Sequence, residues 1–161
     1  MDRSEVAAQL ADPVAQRLLA SCRLTRLAYT GRDGAPRVVP IGYTWTGTHF
    51  VLCTVPGSAK VAALTADPRV ALTVDTDVFP PNVLLVRGTA ALETVEGVPE
   101  EFLDASRRYL DPEAFPAWEA EVRRLYESMT RITVTPSWAK VLDFETRIPS
   151  AVQELADRRQ R

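Results

Sequence analysis

The chain has 161 residues, of which 46% are hydrophobic and 25% charged, and its formal net charge is -2. This length and composition are ordinary for one globular domain and exclude a disordered, collagen-like or low-complexity chain. Such a charge balance also lacks the basic field typical of nucleic-acid binding. The longest apolar runs, such as Val83–Val86, fall far short of the ~20 residues of a membrane-spanning helix. We predict one domain over residues 1–161, with neither a nucleic-acid nor a membrane partner.

The N-terminus and the cysteines bear on the cellular compartment. Met1–Glu5 carries acidic residues and leads into no uninterrupted apolar core, which is unlike a secretory signal. The two cysteines, Cys22 and Cys53, do not make a disulfide framework, and their spacing matches no metal motif. We therefore expect a cytoplasmic protein with two buried thiols and no metal site.

The first half of the sequence predicts an opening helix, an antiparallel meander and a second helix. Asp12 and Pro13 suit the N-cap and first turn of the opening helix, and Ser58 suits the cap of the second. Alternating apolar residues and the turn signal Gly31–Gly34 predict the strands between them. In chain order the elements are a helix at Ala11–Ser21, strands at Arg23–Thr30, Arg37–Trp45 and His49–Val55, and a helix at Ser58–Thr65.

The second half predicts further strands around an inserted pair of helices at about residues 99–129. Gly88 is the expected bend or bulge of a long strand, and Pro136 is expected to interrupt the pattern near the end. The second inserted helix carries an apolar stripe of Trp118, Val122, Leu125 and Met129. The elements are strands at Arg69–Asp75 and Asn82–Val95, helices at Pro99–Leu110 and Pro116–Met129, strands at Arg131–Val134 and Ala139–Phe144, and a charged helix or frayed tail at Ser150–Arg161.

These elements together indicate a fold class. Six or seven short strands with antiparallel connections and flanking helices predict a mostly β, α+β protein. Short strands leave exposed edges, and closure into a small barrel removes them. We therefore predict a small closed antiparallel barrel.

Most familiar catalytic motifs are missing from the sequence. His49 is the only histidine, so neither a histidine-rich metal site nor an ordinary serine triad is expected. It follows the Gly47 turn, where a solvated histidine at a strand end is the expected role. The chain also has neither a Gly-x-Gly-x-x-Gly segment nor a Walker lysine, which argues against a Rossmann dehydrogenase or a nucleotide hydrolase.

One segment, Thr54–Lys60, does suggest a binding site. It joins a predicted strand to a predicted helix, and a helix N-terminus offers free N–H groups and a partial positive charge to phosphate. Ser58 adds a hydroxyl donor, and Lys60 adds a full charge within the first turn. On these residues alone, a helix cap followed by an ordinary surface lysine is the favoured interpretation.

A resemblance supports the binding interpretation. Arg37–Pro40, the set Thr54, Gly57, Ser58 and Lys60, and Ala66–Val70 together resemble the pyridoxamine 5'-phosphate oxidase-like, flavin-binding split-barrel family. They also resemble its actinobacterial branch, which uses the deazaflavin coenzyme F420. The resemblance covers Leu18–Phe144, and the order of elements agrees.

The resemblance implies a fold, an assembly and a set of ligand contacts. The implied fold is a six-stranded, Greek-key split β-barrel that forms a homodimer, with the cofactor at the subunit interface. Ser58 and Lys60 would hold the cofactor phosphate, beside Thr54 and Arg37. Residues 38–40 would edge the isoalloxazine ring. The implied cofactor-binding residues are Arg37, Val38, Val39, Pro40, Thr54, Ser58, Lys60 and Arg147. From the residues alone, Val39 can equally be core, and Pro40 can simply protect a strand edge.

The sequence departs from the family pattern at several positions. Ala59 stands where the oxidase has an arginine, and Gly42 stands about where it has a lysine. No histidine follows His49, and Arg147 alone lies near the positions whose Arg and His grip the substrate phosphate in the oxidase. Oxidation of pyridoxamine phosphate is therefore not expected here.

We predict a flavin- or deazaflavin-dependent oxidoreductase that moves hydride between its cofactor and a small planar substrate. The alternative is a non-catalytic module that binds FMN, haem or another tetrapyrrole, with His49 as the candidate axial ligand. FMN is slightly favoured over F420, because the polyglutamate tail of F420 needs several basic groups and only Lys60, Arg37 and Arg69 are evident. Trp45 is a candidate lid over a flat ring, and Trp138 and Phe144 are candidates to reach a partner's cofactor.

Overall fold

A computed structural model describes residues 1–147 and 150–159 of the chain. The helices are α1 (Arg3–Leu10), α2 (Pro13–Ser21), α3 (Ala59–Ala66), α4 (Glu100–Arg107), α5 (Phe115–Leu125) and α6 (Ser150–Arg159). The strands are β1 (Leu24–Thr30), β2 (Pro36–Gly42), β3 (Thr44–Trp45), β4 (Phe50–Thr54), β5 (Arg69–Asp75), β6 (Asn82–Glu96) and β7 (Ser128–Asp143). None of these helices is long and apolar enough to cross a membrane.

All strands pair antiparallel in one seven-stranded sheet of order β2-β1-β5-β6-β7-β4-β3. The α+β class is confirmed, whereas the closed six-stranded barrel is wrong, because the sheet is open with β2 and β3 at its ends. The predicted strand Arg37–Trp45 is divided at Tyr43, whose side chain is fully buried and donates from its hydroxyl to the Leu19 carbonyl at 3.2 Å. This anchoring of Tyr43 in the core separates β2 from β3.

The longest antiparallel pairing in the sheet joins β6 to β7. The bulge expected at Gly88 is confirmed, because the register shifts between Arg87 and Gly88. A Cβ atom at Gly88 would lie 2.4 Å from the Thr135 carbonyl oxygen, so a larger residue does not fit there. The interruption predicted at Pro136 is wrong. Pro136 pairs opposite Gly88, where the ladder is already irregular and a missing N–H is tolerated, so β7 continues through it.

Two helices precede the sheet, although only one was predicted. Asp12 caps α2 by accepting from the Val14 N–H at 2.8 Å, and Pro13 opens the helix as expected. The unexpected α1 begins with a capping box, in which the Asp2 carboxylate accepts from the Glu5 N–H and the Glu5 carboxylate accepts from the Asp2 N–H.

The core has two parts. The larger lies between α1, α2 and the sheet, and includes Leu27, Leu72 and Ile132. The smaller lies between the inserted helices and β4 and β7, where Trp118 stacks on Phe102 with ring centroids 5.9 Å apart. Helix α5 ends at Leu125, which is 69% exposed, and Met129 belongs to β7. The predicted four-residue stripe on one helix is therefore wrong, and the apolar side of α5 is covered by its own chain.

Arg108 fixes the inserted helices to the rest of the domain. Its guanidinium donates to the carbonyls of Leu19 at 2.9 Å, Ala20 at 3.2 Å, Tyr43 at 3.3 Å and also Cys22. Three of these carbonyls lie at or just after the C-terminal turn of α2, where carbonyl groups lack helical partners. One side chain therefore holds α2, the β2–β3 junction and the end of α4 together.

Candidate functional site

The strand-to-helix segment after β4 brings three predicted residues together. Thr54 ends β4 and is largely buried. The Lys60 ammonium donates to the Thr54 hydroxyl at 3.1 Å, and that hydroxyl lies 3.3 Å from the Ser58 hydroxyl oxygen. Thr54 thereby fixes the position of the charged end of Lys60 beside the start of α3.

The first turn of α3 has no side-chain cap. Ser58 occupies the N-cap position with extended backbone angles, φ -69° and ψ 145°, but its hydroxyl faces Thr54 and makes no capping bond. The expected position of Ser58 is therefore confirmed, and its expected capping bond is not formed. An uncapped N-terminus leaves N–H groups and a partial positive charge directed outward, which suits an anion.

The charge of Lys60 is not balanced within the described residues. No carboxylate there lies within ion-pair distance of its ammonium, which contacts only Thr54. By contrast, Arg69, the first residue of β5, already donates two hydrogen bonds to the Asp67 carboxylate at 2.9 and 2.7 Å. The Arg69 side chain holds the pKa of Asp67 at about 2. Lys60 is the cation of this segment that remains available to a ligand.

Arg37 lies at the rim of a neighbouring depression. Its guanidinium pairs with Asp33 at 2.6 Å and holds the pKa of that carboxyl below its usual range, helped by the Ala35 N–H. The depression has a volume of about 390 Å³ and is also lined by Tyr29, Ala59 and Ala62. Arg37 and the first turn of α3 therefore face the same space.

The predicted ring-binding residues of β2 lie on opposite faces of the sheet. Val39 is half-buried and packs, with Ile41, against the larger core. Val38 is 64% exposed and Pro40 is also exposed, so both side chains point outward. Among the strands of residues 1–147, β2 pairs with β1 alone and forms one end of the sheet. Val38 and Pro40, and not Val39, present side chains to a ligand on this face.

A row of neighbouring residues on adjacent strands begins at Val38 and was not predicted from the sequence. Strand register places Val38, Ala28, Ala71, Arg87 and Trp138 side by side across five strands, on the outward face. The Arg87 guanidinium stacks over the Trp138 ring at 4.4 Å from its centroid. The side chains of Ala28 and Ala71 are single methyl groups, so this part of the outward face carries no bulky group between Val38 and Arg87.

Within one chain, Arg147 lies away from the cluster of Thr54, Ser58 and Lys60. Its guanidinium is 3.3 Å from the Asp12 carboxylate, just beyond the end of β7. Thr54, by contrast, pairs with Thr130 near the start of β7. The chain therefore does not bring Arg147 to Thr54, Ser58 and Lys60.

The other candidate chemical groups are structural. Burial raises the pKa of Cys53 to about 12 and also raises the pKa of Cys22, so both thiols are protonated near neutral pH. Cys53 is buried as expected, and Cys22 is only partly so. Trp45 packs on Phe50 with ring centroids 4.7 Å apart and is partly exposed. Within residues 1–147 and 150–159, no cluster of three His, Cys, Asp or Glu side chains suits a metal ion.

Several solved structures have a fold similar to that of this chain. An F420 reductase is 25% identical, with a TM-score of 0.60 over 78% of this chain and 94% of that chain. The haem storage protein HutZ from Vibrio cholerae is 15% identical, with a TM-score of 0.59 over 81% and 93% of the two chains. A haem-binding protein from Mycobacterium smegmatis is 17% identical, with a TM-score of 0.58 over 89% and 56%.

Comparisons with sequences point to one family. A search of curated proteins finds no match. The family profile described as pyridoxamine 5'-phosphate oxidase matches residues 11–139, which is most of the chain and includes β2, β4 and the start of α3. The chain therefore belongs to the pyridoxamine 5'-phosphate oxidase family.

Proposed function

We propose that the protein is an oxidoreductase that uses FMN or F420 to exchange hydride with a small planar substrate. The observation that carries this proposal is the cluster of Thr54, Ser58 and Lys60 at the uncapped N-terminus of α3. An unbalanced ammonium, a hydroxyl and free N–H groups in one place fit a phosphate. The outward face of the sheet beside Val38, without a bulky group at Ala28 or Ala71, fits a planar ring.

Each residue of the site then has a defined task. Lys60 and Ser58 bind the phosphate, and Thr54 orients Lys60, while Arg37, paired with Asp33, lines the adjoining depression. Val38 and Pro40 border the ring on the outward face. The cofactor, when bound, supplies the hydride chemistry, while the chain supplies position and electrostatics. The two thiols take no part, since burial keeps them protonated.

We propose that the active form is a homodimer of this chain. One face of a ring lying on the outward side of β2 is left uncovered by its own subunit, and β2 forms one end of the sheet. A second copy would cover this region and bring its own Arg147 toward the shared site. Light scattering should then give twice the chain mass of 17.8 kDa. A mass near that of one chain at micromolar concentration would contradict the dimer.

The choice between FMN and F420 rests on two opposing observations. Arg69 is occupied by Asp67, and Ala59 carries no charge, so few cations remain for a polyglutamate tail. This favours FMN. The similarity to an F420 reductase at 25% identity favours the deazaflavin.

Titration of the cofactor-free protein with FMN, riboflavin and F420 tests the proposal directly. FMN should bind about tenfold to a hundredfold more tightly than riboflavin, since a charge-assisted phosphate contact contributes about 1.5–3 kcal/mol. Equal affinities for FMN and riboflavin would remove the role of the Lys60 cluster. Tighter binding of F420 than of FMN would assign the deazaflavin.

A haem-binding module is the second candidate, supported by the structural similarity to two haem proteins. His49 would be the axial ligand of the haem iron. Its Nδ1 lies 2.8 Å from the Thr48 hydroxyl, so its Nε2 is the candidate ligand atom. Addition of haemin should then give a Soret band that His49→Ala shifts. A haemin spectrum unchanged by the substitution would eliminate this candidate.

A further inference from the structure

A trough with a volume of about 440 Å³ runs along α1, separate from the Lys60 cluster. One wall is the face of α1 that carries Arg3, Val6, Ala7 and Leu10. The opposite wall is formed by Trp45 and His49 at the β3–β4 turn. The volume lies within the range of small-molecule sites, roughly 300–1,000 Å³.

The spacing of residues on α1 explains why the trough exists. Positions 3, 6, 7 and 10 share one side of a helix. Val6 and Leu10 are buried and fix α1 to the larger core. Ala7 lies between them with only a methyl group, so it leaves space beside the Trp45 ring. The middle of the trough is therefore apolar.

The two ends of the trough differ in charge. Arg3 lines an adjoining hollow together with Thr135 and Pro136 of β7. Phe50 pairs with Val134, so His49, the residue before Phe50, lies beside the same part of β7. Arg3 and His49 are therefore at the same end of the trough. In the described part of the chain, Arg3 has no carboxylate within ion-pair distance. The other end carries the Gln16 carboxamide, which donates to the Leu10 carbonyl at 2.6 Å.

We propose that this trough binds an elongated apolar monocarboxylate. The carboxylate lies at the end of the trough that Arg3 and His49 line, beside an unbalanced guanidinium and an imidazole. The apolar body lies along Ala7 against Trp45. This site shares no residue with the Thr54, Ser58 and Lys60 cluster, so it stands or falls independently of the flavin-type function.

Two adjacent alanines provide a matched test of the location. Titration of the ¹⁵N-labelled, cofactor-free protein with 4-phenylbutyrate should give saturable shifts in α1 and the β3–β4 turn. Ala7→Trp should fill the trough and abolish these shifts, whereas Ala8→Trp, which adds the same bulk to an exposed site outside the trough, should leave them. Equal effects of the two variants, or shifts confined to α3, would overturn the proposal.

The charge at one end is tested separately. The neutral analogue 4-phenylbutan-1-ol should bind more weakly than the acid. Arg3→Gln should weaken binding of the acid by about 1.4-fold to fivefold, the range of a solvent-exposed ion pair. Arg17→Gln, an exposed control on α2 outside the trough, should not change it. Equal affinities for the acid and the alcohol would contradict the assigned orientation.

Discussion

Two cations near helix ends, Arg108 and Lys60, are treated in opposite ways by this fold. Arg108 donates to four backbone carbonyls, of which three lie at or just after the C-terminal turn of α2 and the fourth is that of Tyr43. Lys60 lies in the first turn of α3 and donates only to the Thr54 hydroxyl. Within the part of the chain that the structure describes, Arg108 has four acceptors, whereas Lys60 has one hydroxyl and no carboxylate.

Helix electrostatics give this difference a meaning. The C-terminal end of a helix is partially negative and attracts a cation, whereas the N-terminal end is partially positive and repels one. Arg108 therefore stabilises the folded chain. Lys60 at the start of α3 is unfavourable until an anion arrives. Removal of the Arg108 charge should consequently lower the stability of the folded chain, whereas removal of the Lys60 charge should lower the affinity for the ligand.

The largest effect on stability is expected from Arg108→Ala. The substitution leaves several carbonyls of the α2 end and Tyr43 without a donor, so the free energy of unfolding should fall by about 2–3 kcal/mol. Urea denaturation measures the change. Arg124→Ala, which removes an exposed arginine from α5, is the control and should change the stability by less than about 0.5 kcal/mol. A similar small change at Arg108 would refute its role as an anchor.

The largest effect on ligand affinity is expected from Lys60→Gln. Loss of a charge-assisted phosphate contact should weaken FMN binding about tenfold to a hundredfold, as measured by fluorescence titration. The unfolding free energy of the cofactor-free protein should not fall appreciably, because the ammonium opposes the helix dipole. Lys140→Gln removes the other lysine, an exposed residue opposite Leu85, and should leave the affinity unchanged. Equal losses at both lysines would return Lys60 to an ordinary surface role.

Ser58→Asp should give Lys60 a charged acceptor within its own chain, so that Lys60, like Arg108, has its partners within the fold. The carboxylate caps α3 and pairs with Lys60, so the cofactor-free protein should gain about 0.5–1 kcal/mol of stability. The same carboxylate occupies the anion site, and FMN affinity should fall by more than about tenfold. Ser58→Asn, which can cap without charge, should give a similar stability and retain more affinity. Tight FMN binding by Ser58→Asp would show that the phosphate lies elsewhere.

Local signals made much of this fold predictable from the sequence. The Asp12–Pro13 start of α2, the bulge at Gly88 and the start of α3 after Ser58 each depend on a few neighbouring residues. The same is true of the candidate site, since Thr54, Ser58 and Lys60 lie within one strand-to-helix segment. The chain connection alone brings such residues close together.

The features that the sequence did not predict depend on distant parts of the chain. Pro136 is accommodated within β7 because Gly88 on β6 shifts the register opposite it. Val38, and not Val39, faces outward because the core lies on the other side of β2. Arg147 contacts Asp12, far along the chain. Such contacts depend on strand register and packing, which the sequence pattern of a single segment does not contain.

The smallest effects are expected at Arg69, a third cation, which is already neutralised on the surface. Arg69 donates two bonds to Asp67, and this contact holds the pKa of Asp67 at about 2, below its usual 3.8. Because the folded-state pKa is depressed, the stabilising contribution is present above pH 3.8 and is lost as the pH falls toward 2. Asp67→Asn should therefore flatten the acid limb of the stability curve in that window, with only a slight change at pH 7. Arg69→Gln should leave FMN affinity unaltered, in contrast to Lys60→Gln, since Asp67 already engages the guanidinium. A loss of affinity at Arg69 comparable to that at Lys60 would mean that a carboxylate partner does not withhold a cation from the ligand, and the contrast between Lys60 and Arg108 would then lose its force.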